Sequence, residues 1–231
     1  MINVLISGIN GNMGKALYLC KTDKLNVACG VDKNRSGSFD CPVYRSFCEV
    51  KENVDIVIDF SSPEIFPELY KFVKASRCAL LTGTTGIEKA EKEILIKLSK
   101  IVPVFASSNT SFGVNFLISL FKRISEPIDG LDIDIVEKHR KDKKDAPSGT
   151  ALMLKDALIN ASEGEIRIHS LRAGDTVGEH EIIFTRGLET VTVKHVASSR
   201  RVFAEGAIKI AEKLPFMKKG FYTSEDFIRI F

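Results

Sequence analysis

No apolar run among the 231 residues approaches the roughly 18–20 needed to span a bilayer, so a helical membrane protein is excluded. The opening stretch MINVLISGINGNMG turns from a short apolar run straight into glycines, so no secretory leader is expected and the chain is read as cytoplasmic. Cysteine is sparse and odd in number. Cys20, Cys29, Cys41, Cys48 and Cys78 include no pair with the two-residue gap of a redox motif or zinc knuckle, which leaves ordinary reduced thiols. Histidine is rarer still: His139, His169, His180 and His195 contain no i, i+4 pair, so no metal is expected. An excess of one charge is missing too. A net charge of +3 is too mild to argue for nucleic acid, and any basic feature has to be local. Repeats, low-complexity runs and flexible linkers are absent, and 44% hydrophobic with 27% charged residues describe an ordinary globular chain. Its length allows one large domain or two small ones.

The first half alternates apolar runs with helical periodicity. Ile2–Ser7, Leu25–Val31 and the runs 55–60, 78–82 and 102–106 read as strands, with a possible edge strand near Val43. Helical stretches at 15–21, 64–76 and 88–100 fall between them, which implies βαβ units and a parallel sheet. The pattern changes near residue 110. An apolar helix at 114–124 precedes an alternating strand at 131–137 and a helix at 148–159. Three further strands, at 166–171, 181–185 and 190–196, have no long helix among them, which suggests a mixed or antiparallel sheet with one face covered. Helix returns at 204–214, and the tail 221–231 is short and amphipathic. The expectation is an α/β chain: a Rossmann-like parallel-sheet domain plus an α+β domain with a mixed or antiparallel sheet.

Two constellations carry chemistry. Gly8-Ile9-Asn10-Gly11-Asn12-Met13-Gly14 follows the first strand and opens a helix, with glycines where backbone must approach a pyrophosphate. Asp32, at the end of the second strand, is placed for a ribose 2′-hydroxyl, whereas Lys33 beside it suits a 2′-phosphate. NADH and NADPH therefore both stay open, as does an ordinary strand-to-helix turn. Gly83-Thr84-Thr85-Gly86 and Ser107-Ser108-Asn109-Thr110 end later strands, where open α/β sheets bind ligands and where plain turns also occur. The second constellation runs from Glu137 to Thr150. It holds His139 and five basic side chains, then enters a helix through Pro147, read as a first-turn residue with Ser148, Gly149 and Thr150 as amide donors to an anion. Arg140 and Lys143 add positive charge and His139 a proton near neutral pH, which together suit a carboxylated substrate that is protonated. By composition alone, a solvated basic loop competes with that reading.

Residues 137–151, E-K-H-R-K-D-K-K-D-A-P-S-G-T-A, resemble the signature E-x-H-H-x-x-K-x-D-x-P-S-G-T-A of the dihydrodipicolinate reductase family. The resemblance extends through GINGNMG at 8–14, DIVIDFSSPE at 55–64, TGTTG at 82–86, SSNTSFGVN at 107–115, LRAGDTVGEHEIIF at 171–184 and KHVASSRRVFAEGA at 194–207. It implies an NAD(P)H-dependent oxidoreductase of the diaminopimelate route to lysine. The substrate would be a small dicarboxylate, 4-hydroxy-tetrahydrodipicolinate or dihydrodipicolinate, reduced to tetrahydrodipicolinate. It further implies His139 as proton donor and acceptor and Lys143 as a second donor that also contacts substrate. Arg140, Gly149 and Thr150 would bind substrate. Gly8, Ile9, Asn10, Gly11, Asn12, Met13, Asp32, Gly83, Thr84, Thr85, Ser107, Ser108, Asn109 and Thr110 would contact NADH or NADPH, with Lys33 a candidate from its place beside Asp32. Residues 1–110 and 201–231 would form the dinucleotide-binding domain and 111–200 the substrate-binding and oligomerisation domain of a homotetramer, with closure over the substrate. No metal, nucleic acid or membrane partner is implied. Two positions depart from the family: Arg140 stands for its second histidine, and Thr110 where an aromatic is frequent. Two rivals remain on residues alone, another two-domain dehydrogenase of the aspartate pathway and a non-catalytic nucleotide-sensing homologue.

Overall fold

A computed structural model describes residues 1–34, 37–124 and 126–230. Arg35 and Ser36 of the polar stretch after the second strand, Ser125, and Phe231 at the end of the 201–231 assignment lie outside them. The chain divides into two compact units, Met1–Ser111 with Phe203–Phe231, and Phe112–Val202.

The first unit is built on a parallel sheet of seven strands. These are β1 (Ile2–Ser7), β2 (Leu25–Val31), β3 (Val43–Tyr44), β4 (Ile56–Asp59), β5 (Ala79–Thr82), β6 (Pro103–Ala106) and a later strand at Gly220–Tyr222, in the order later strand, β6, β5, β4, β1, β2, β3. The strands read as continuous apolar runs because both faces are covered. Ile2, Val4 and Ile6 enter one core cluster with Ile56, Ile58, Leu81 and the later helix residues Ala204–Ala211, whereas Leu5 enters another with Val57, Leu80, Phe66 and Leu95. Helices α1 (Asn12–Leu19), α2 (Phe66–Ser76) and α3 (Lys89–Ser99) link the strands. α1 begins three residues before the periodicity suggests, because Gly11 occupies its N-cap. α3 begins after Glu88, which is spent on a reciprocal capping box with Glu91. Strand order reverses between β1 and β4, and it is outside the carboxyl ends of strands at such a reversal that α/β sheets leave a crevice.

The second unit holds α4 (Phe112–Phe121), β7 (Asp132–His139), α5 (Gly149–Ala157), β8 (Arg167–Arg172), β9 (Gly178–Arg186) and β10 (Glu189–Ala197). Its four-stranded sheet has the order β10, β9, β7, β8, with β7 parallel to β8 and antiparallel to β9, so it is mixed. Ile133, Ile135 and Ile182 pack against Leu117, Phe121, Ala151 and Leu154 of the two helices. β7 runs two residues past the expected end at 137, through Lys138 to His139, and its inward row continues as Ile133, Ile135, Glu137, His139. The last chain segment supplies α6 (Arg201–Ala211), β11 (Gly220–Tyr222, the later strand above) and α7 (Phe227–Ile230). The tail 221–231 is therefore part strand: Gly220, Phe221 and Tyr222 pair in parallel with Pro103, Val104 and Phe105, and this three-residue strand is too short to show a period.

One close approach fixes α6. A Cβ added at Gly206 would lie 1.7 Å from the Thr110 carbonyl oxygen, a backbone atom that has no room to yield, while the Thr110 hydroxyl donates to the Phe203 carbonyl at 2.7 Å. Gly206→Ala is therefore expected to destabilise the fold by at least about 1–3 kcal/mol, as overpacking does. Urea unfolding checks this; an unchanged midpoint would show that α6 and the β6 loop are free to separate.

Candidate active site

Buried charge singles out the carboxyl end of β7. Glu137 is 0% exposed, and an ionised carboxylate taken out of water costs several kcal/mol unless its lone pairs are met. They are met on both oxygens. Arg172 at the end of β8 donates from Nη2 to Oε1 at 2.8 Å and from Nη1 to Oε2 at 2.9 Å. The Ser148 amide donates to Oε1 at 3.2 Å, and Oε2 is hydrogen-bonded to His139 Nδ1. Burial pushes the Glu137 pKa up, but the hydrogen bonds from Arg172, Ser170 and His139 outweigh it and hold the group at about 2. Glu137 is thus a carboxylate at any working pH.

His139 is itself buried, and burial lowers its pKa against the opposing pull of Glu137. The neutral ring therefore carries its proton on Nδ1, facing the carboxylate, which leaves Nε2 for exchange. A Cβ at position 178 would come within 3.1 Å of that Nε2, so the glycine there keeps a side chain from crowding it. A row of imidazoles extends across the sheet: His180 stands opposite Glu137 in register and His195 opposite His180. The His139 and His180 ring centroids lie 5.3 Å apart, edge to face. Burial, reinforced by the neighbouring His139 and His195, drives the His180 pKa down to about 3.

The remaining residues of the stretch 137–150 are distributed by local chemistry. Ser148 caps α5, which begins at Gly149: its hydroxyl accepts from the Ala151 amide at 3.2 Å, and Pro147 precedes the cap outside the helix. The Ser148 amide is spent on Glu137, so the helix end that can face an anion starts at Gly149 and Thr150. Lys143 donates to both oxygens of Asp145 at 2.7 and 2.8 Å, and Arg140 Nε lies 2.8 Å from Asp142. Arg172 reaches across to the Asp145 carbonyl at 2.6 Å, which ties this loop to the Glu137 cluster. Glu137 in this role, Arg172 and His180 are the residues that sequence reasoning missed. The signal was available for Glu137, an acid in the inward phase of an alternating strand.

In the first unit the glycine loop and the end of β2 line one cleft of about 300 Å³, to which Gly8, Gly11, Asp32, Lys33, Arg45 and Phe60 contribute. Gly8 has φ +78°, and a Cβ there would lie 2.7 Å from the Phe60 carbonyl. Gly11 caps α1 without a side chain, so the first turn, with Asn12 and Met13, presents bare backbone of the kind a pyrophosphate requires. Asp32 accepts the Asn10 and Asn34 amides, each at 2.9 Å, so it braces the loop as well as facing the cleft. Ile9 is buried, its side chain against Gly30, and only its backbone belongs to the loop. These residues fit a dinucleotide.

The other expected contacts line no part of that cleft. Gly83 packs on the Phe60 ring, and Thr84 donates to the buried Asp59 at 2.8 Å while Thr85 is exposed. The Ser107 hydroxyl bonds the Asn109 carbonyl and pairs with the Ser224 hydroxyl, both at 2.7 Å; Ser108 is exposed and Thr110 is latched to Phe203. Among the described residues, no group of three or more His, Cys, Asp or Glu could hold a metal, no disulfide joins the cysteines, and no helix is long and apolar enough to cross a membrane.

Two family models together match most of the chain. The family model "Dihydrodipicolinate reductase, N-terminus" matches residues 2–110, and "Dihydrodipicolinate reductase, C-terminus" matches residues 113–228. A 4-hydroxy-tetrahydrodipicolinate reductase of Caldanaerobacter subterraneus subsp. tengcongensis is 42% identical over 99% of both chains, and one of Clostridium novyi is 37% identical over 99% of both. In fold, the chain is similar to a dipicolinate-bound dihydrodipicolinate reductase from Paenisporosarcina sp. TG-14, with a TM-score of 0.80 at 21% identity, covering 98% of this chain and 99% of that one.

The buried histidine makes stability depend on acidity. Unfolded, His180 titrates near 6.5; folded, near 3, so between those values the unfolded chain binds the extra proton and stability falls as pH falls. One such proton gives a slope of about 1.4 kcal/mol per pH unit. His180→Phe should flatten the dependence of unfolding free energy between pH 6 and 4 by about that amount. Denaturant titrations across this range check it; an unchanged slope would mean that His180 is charged when folded.

Proposed function

The chain belongs to the dihydrodipicolinate reductase family, and on that premise we propose how its residues perform the family's chemistry. The activity is NAD(P)H-dependent reduction of 4-hydroxy-tetrahydrodipicolinate to tetrahydrodipicolinate in the diaminopimelate route to lysine. The reduced nicotinamide, when bound, supplies the hydride. Holding the nucleotide falls to the backbone of residues 8–13, to Asp32 and Lys33, and to the strand-end stretches 83–85 and 107–110. Asp32 suits a free ribose and Lys33 a phosphorylated one, so the reductant is NADH or NADPH.

The protonation falls to His139. Hydride addition to a conjugated imine leaves negative charge on the ring, and a nearby proton donor lowers the cost of forming it. The single observation that carries this reading is the placement of His139: Nδ1 committed to Glu137, Nε2 beside Gly178 where no side chain crowds it, on a strand that is tied through Ser148 to the helix start at Gly149 and Thr150. That helix start takes one substrate carboxylate through backbone amides and the Thr150 hydroxyl. Arg140 takes part in binding the dianion and, unlike a histidine, stays charged at every working pH. Lys143 contacts substrate and acts as the second proton donor. Arg140 and Lys143 are each held by an aspartate, so a dicarboxylate exchanges one anionic partner for another instead of meeting bare cations. The dinucleotide is assigned to residues 1–110 and 201–231 and the substrate to 111–200. The protein works in the cytoplasm as a homotetramer assembled through its four-stranded sheet, a reading supported by the exposed Leu171 on β8 and Val196 on β10, which stand in one cross-strand row with Lys138 and Glu179.

His139→Gln is expected to lower kcat by about 10²–10⁴ while leaving nucleotide affinity unchanged. Lys143→Ala is expected to lower kcat and also to weaken binding of dipicolinate. Initial rates with NADH and with NADPH on freshly generated substrate, together with calorimetry of dipicolinate binding, check both. Turnover of His139→Gln within a few-fold of the parent would remove the acid role, and intact dipicolinate binding by Lys143→Ala would remove its substrate contact.

A further inference from the structure

We propose that Glu137, clamped by Arg172, is the positioning residue of the reaction: it fixes the tautomer of His139 and stabilises the imidazolium that gives up the proton. This rests on the reading of His139 as the proton donor. Three observations carry it. Glu137 is completely buried yet ionised, so its charge is available to the ring and unscreened by water. Its Oε2 is hydrogen-bonded to Nδ1, which leaves Nε2 as the atom that exchanges protons. Arg172 grips both carboxylate oxygens, so the carboxyl plane cannot rotate away from the ring.

The chemistry follows from charge. The free site favours neutral His139, because burial lowers its pKa and the nearby cations Lys143 and Arg172 add to that. A neutral ring protonated on Nδ1 is not yet an acid at Nε2. A dicarboxylate substrate brings two negative charges to the cationic loop, which offsets Lys143 and favours proton uptake at Nε2. With Glu137 already facing Nδ1, the resulting imidazolium is paired on its far side, and its Nε2 proton passes to the reduced ring. His139 then returns to the Nδ1-protonated neutral form. His180 faces the same ring without supplying charge, since burial and its histidine neighbours hold it neutral.

Glu137→Gln keeps the volume but removes the charge, and turns an amide NH₂ toward either Arg172 or the imidazole. It should lower kcat at least about 100-fold, as neutralising the carboxylate partner of a catalytic imidazole does, with the KM for nucleotide unchanged. The alkaline limb of the kcat–pH profile should move to lower pH, because His139 loses the anion that favours its protonated form. Glu137→Asp, which keeps a carboxylate, should recover part of kcat and return the limb toward its original position. A purely structural role would instead damage Gln and Asp variants alike and leave the limb in place, and that result, or a Gln variant within a few-fold of the parent, would overturn the proposal. The unmutated protein gives an independent reading whether or not the Gln variant folds. Isotope-edited NMR of the histidine rings near neutral pH, with His139 assigned by difference from His139→Gln, should find the Nδ1-protonated tautomer; the Nε2-protonated tautomer would overturn the assignment. Failure of the functional reading itself is distinct, since it would show as absent substrate-dependent nucleotide oxidation in the parent with the tautomer intact.

Discussion

An ionised carboxylate with no access to water has to be surrounded by donors, and the second unit of this chain is organised around meeting that demand at Glu137. Its donors come from three elements: His139 two residues along the same strand, Arg172 at the end of β8 and the Ser148 amide at the start of α5; Arg172 also donates to the Asp145 carbonyl, which ties in the loop. Meeting one buried charge thereby sets the histidine ring, the helix start and the cationic loop in fixed positions at once. Such a cluster is also vulnerable, because removing any donor leaves charge buried without its partner. The adjoining imidazoles make the same region sensitive to acid, since the folded chain refuses a proton that the unfolded chain accepts.

The first unit relies on a different constraint, the exclusion of side chains. Gly8 and Gly11 let β1 turn sharply into α1, and Gly14 brings the first helical turn so near that a Cβ there would lie 2.2 Å from the Gly8 carbonyl. Asp32 then ties the end of β2 to this turn through the Asn10 amide. A second buried acid, Asp59, gathers the hydroxyls of Ser61, Thr82 and Thr84 at the ends of β4 and β5, with burial raising its pKa against their hydrogen bonds. In both units carboxylates hold polar order at strand ends, and the strands beneath are secured by apolar burial.

The parallel sheet was legible because strands buried on both faces have few ways to be written: short, continuous, apolar and bounded by polar residues, as at Ile56–Asp59 and Ala79–Thr82. The mixed sheet was legible from alternation, but its end was not. Alternation carries β7 only to Glu137, whereas the strand continues to His139, and the burial of both polar residues depends on partners that local sequence does not reveal. Arg172 and His180 were invisible for the same reason, since only the pairing of β7 with β8 and β9 brings them to the site. The start of α5 was misplaced by giving Pro147 the first turn, when the Ser148 hydroxyl makes the better cap. Of the expected nucleotide contacts, the glycine loop, Asp32 and Lys33 converge on one cleft, but Thr84 and Thr110 turn their hydroxyls into the protein. Spacing alone does not say which way a side chain points.

The claim that one carboxylate organises the site is tested most directly by a double-mutant cycle on kcat, combining Glu137→Gln with Arg172→Leu. If Arg172 acts through Glu137, the double variant should be little worse than Glu137→Gln alone, a coupling above about 1 kcal/mol between the two changes. If instead the two losses multiply, Arg172 and Glu137 serve the reaction separately, and the carboxylate is not the hub described here.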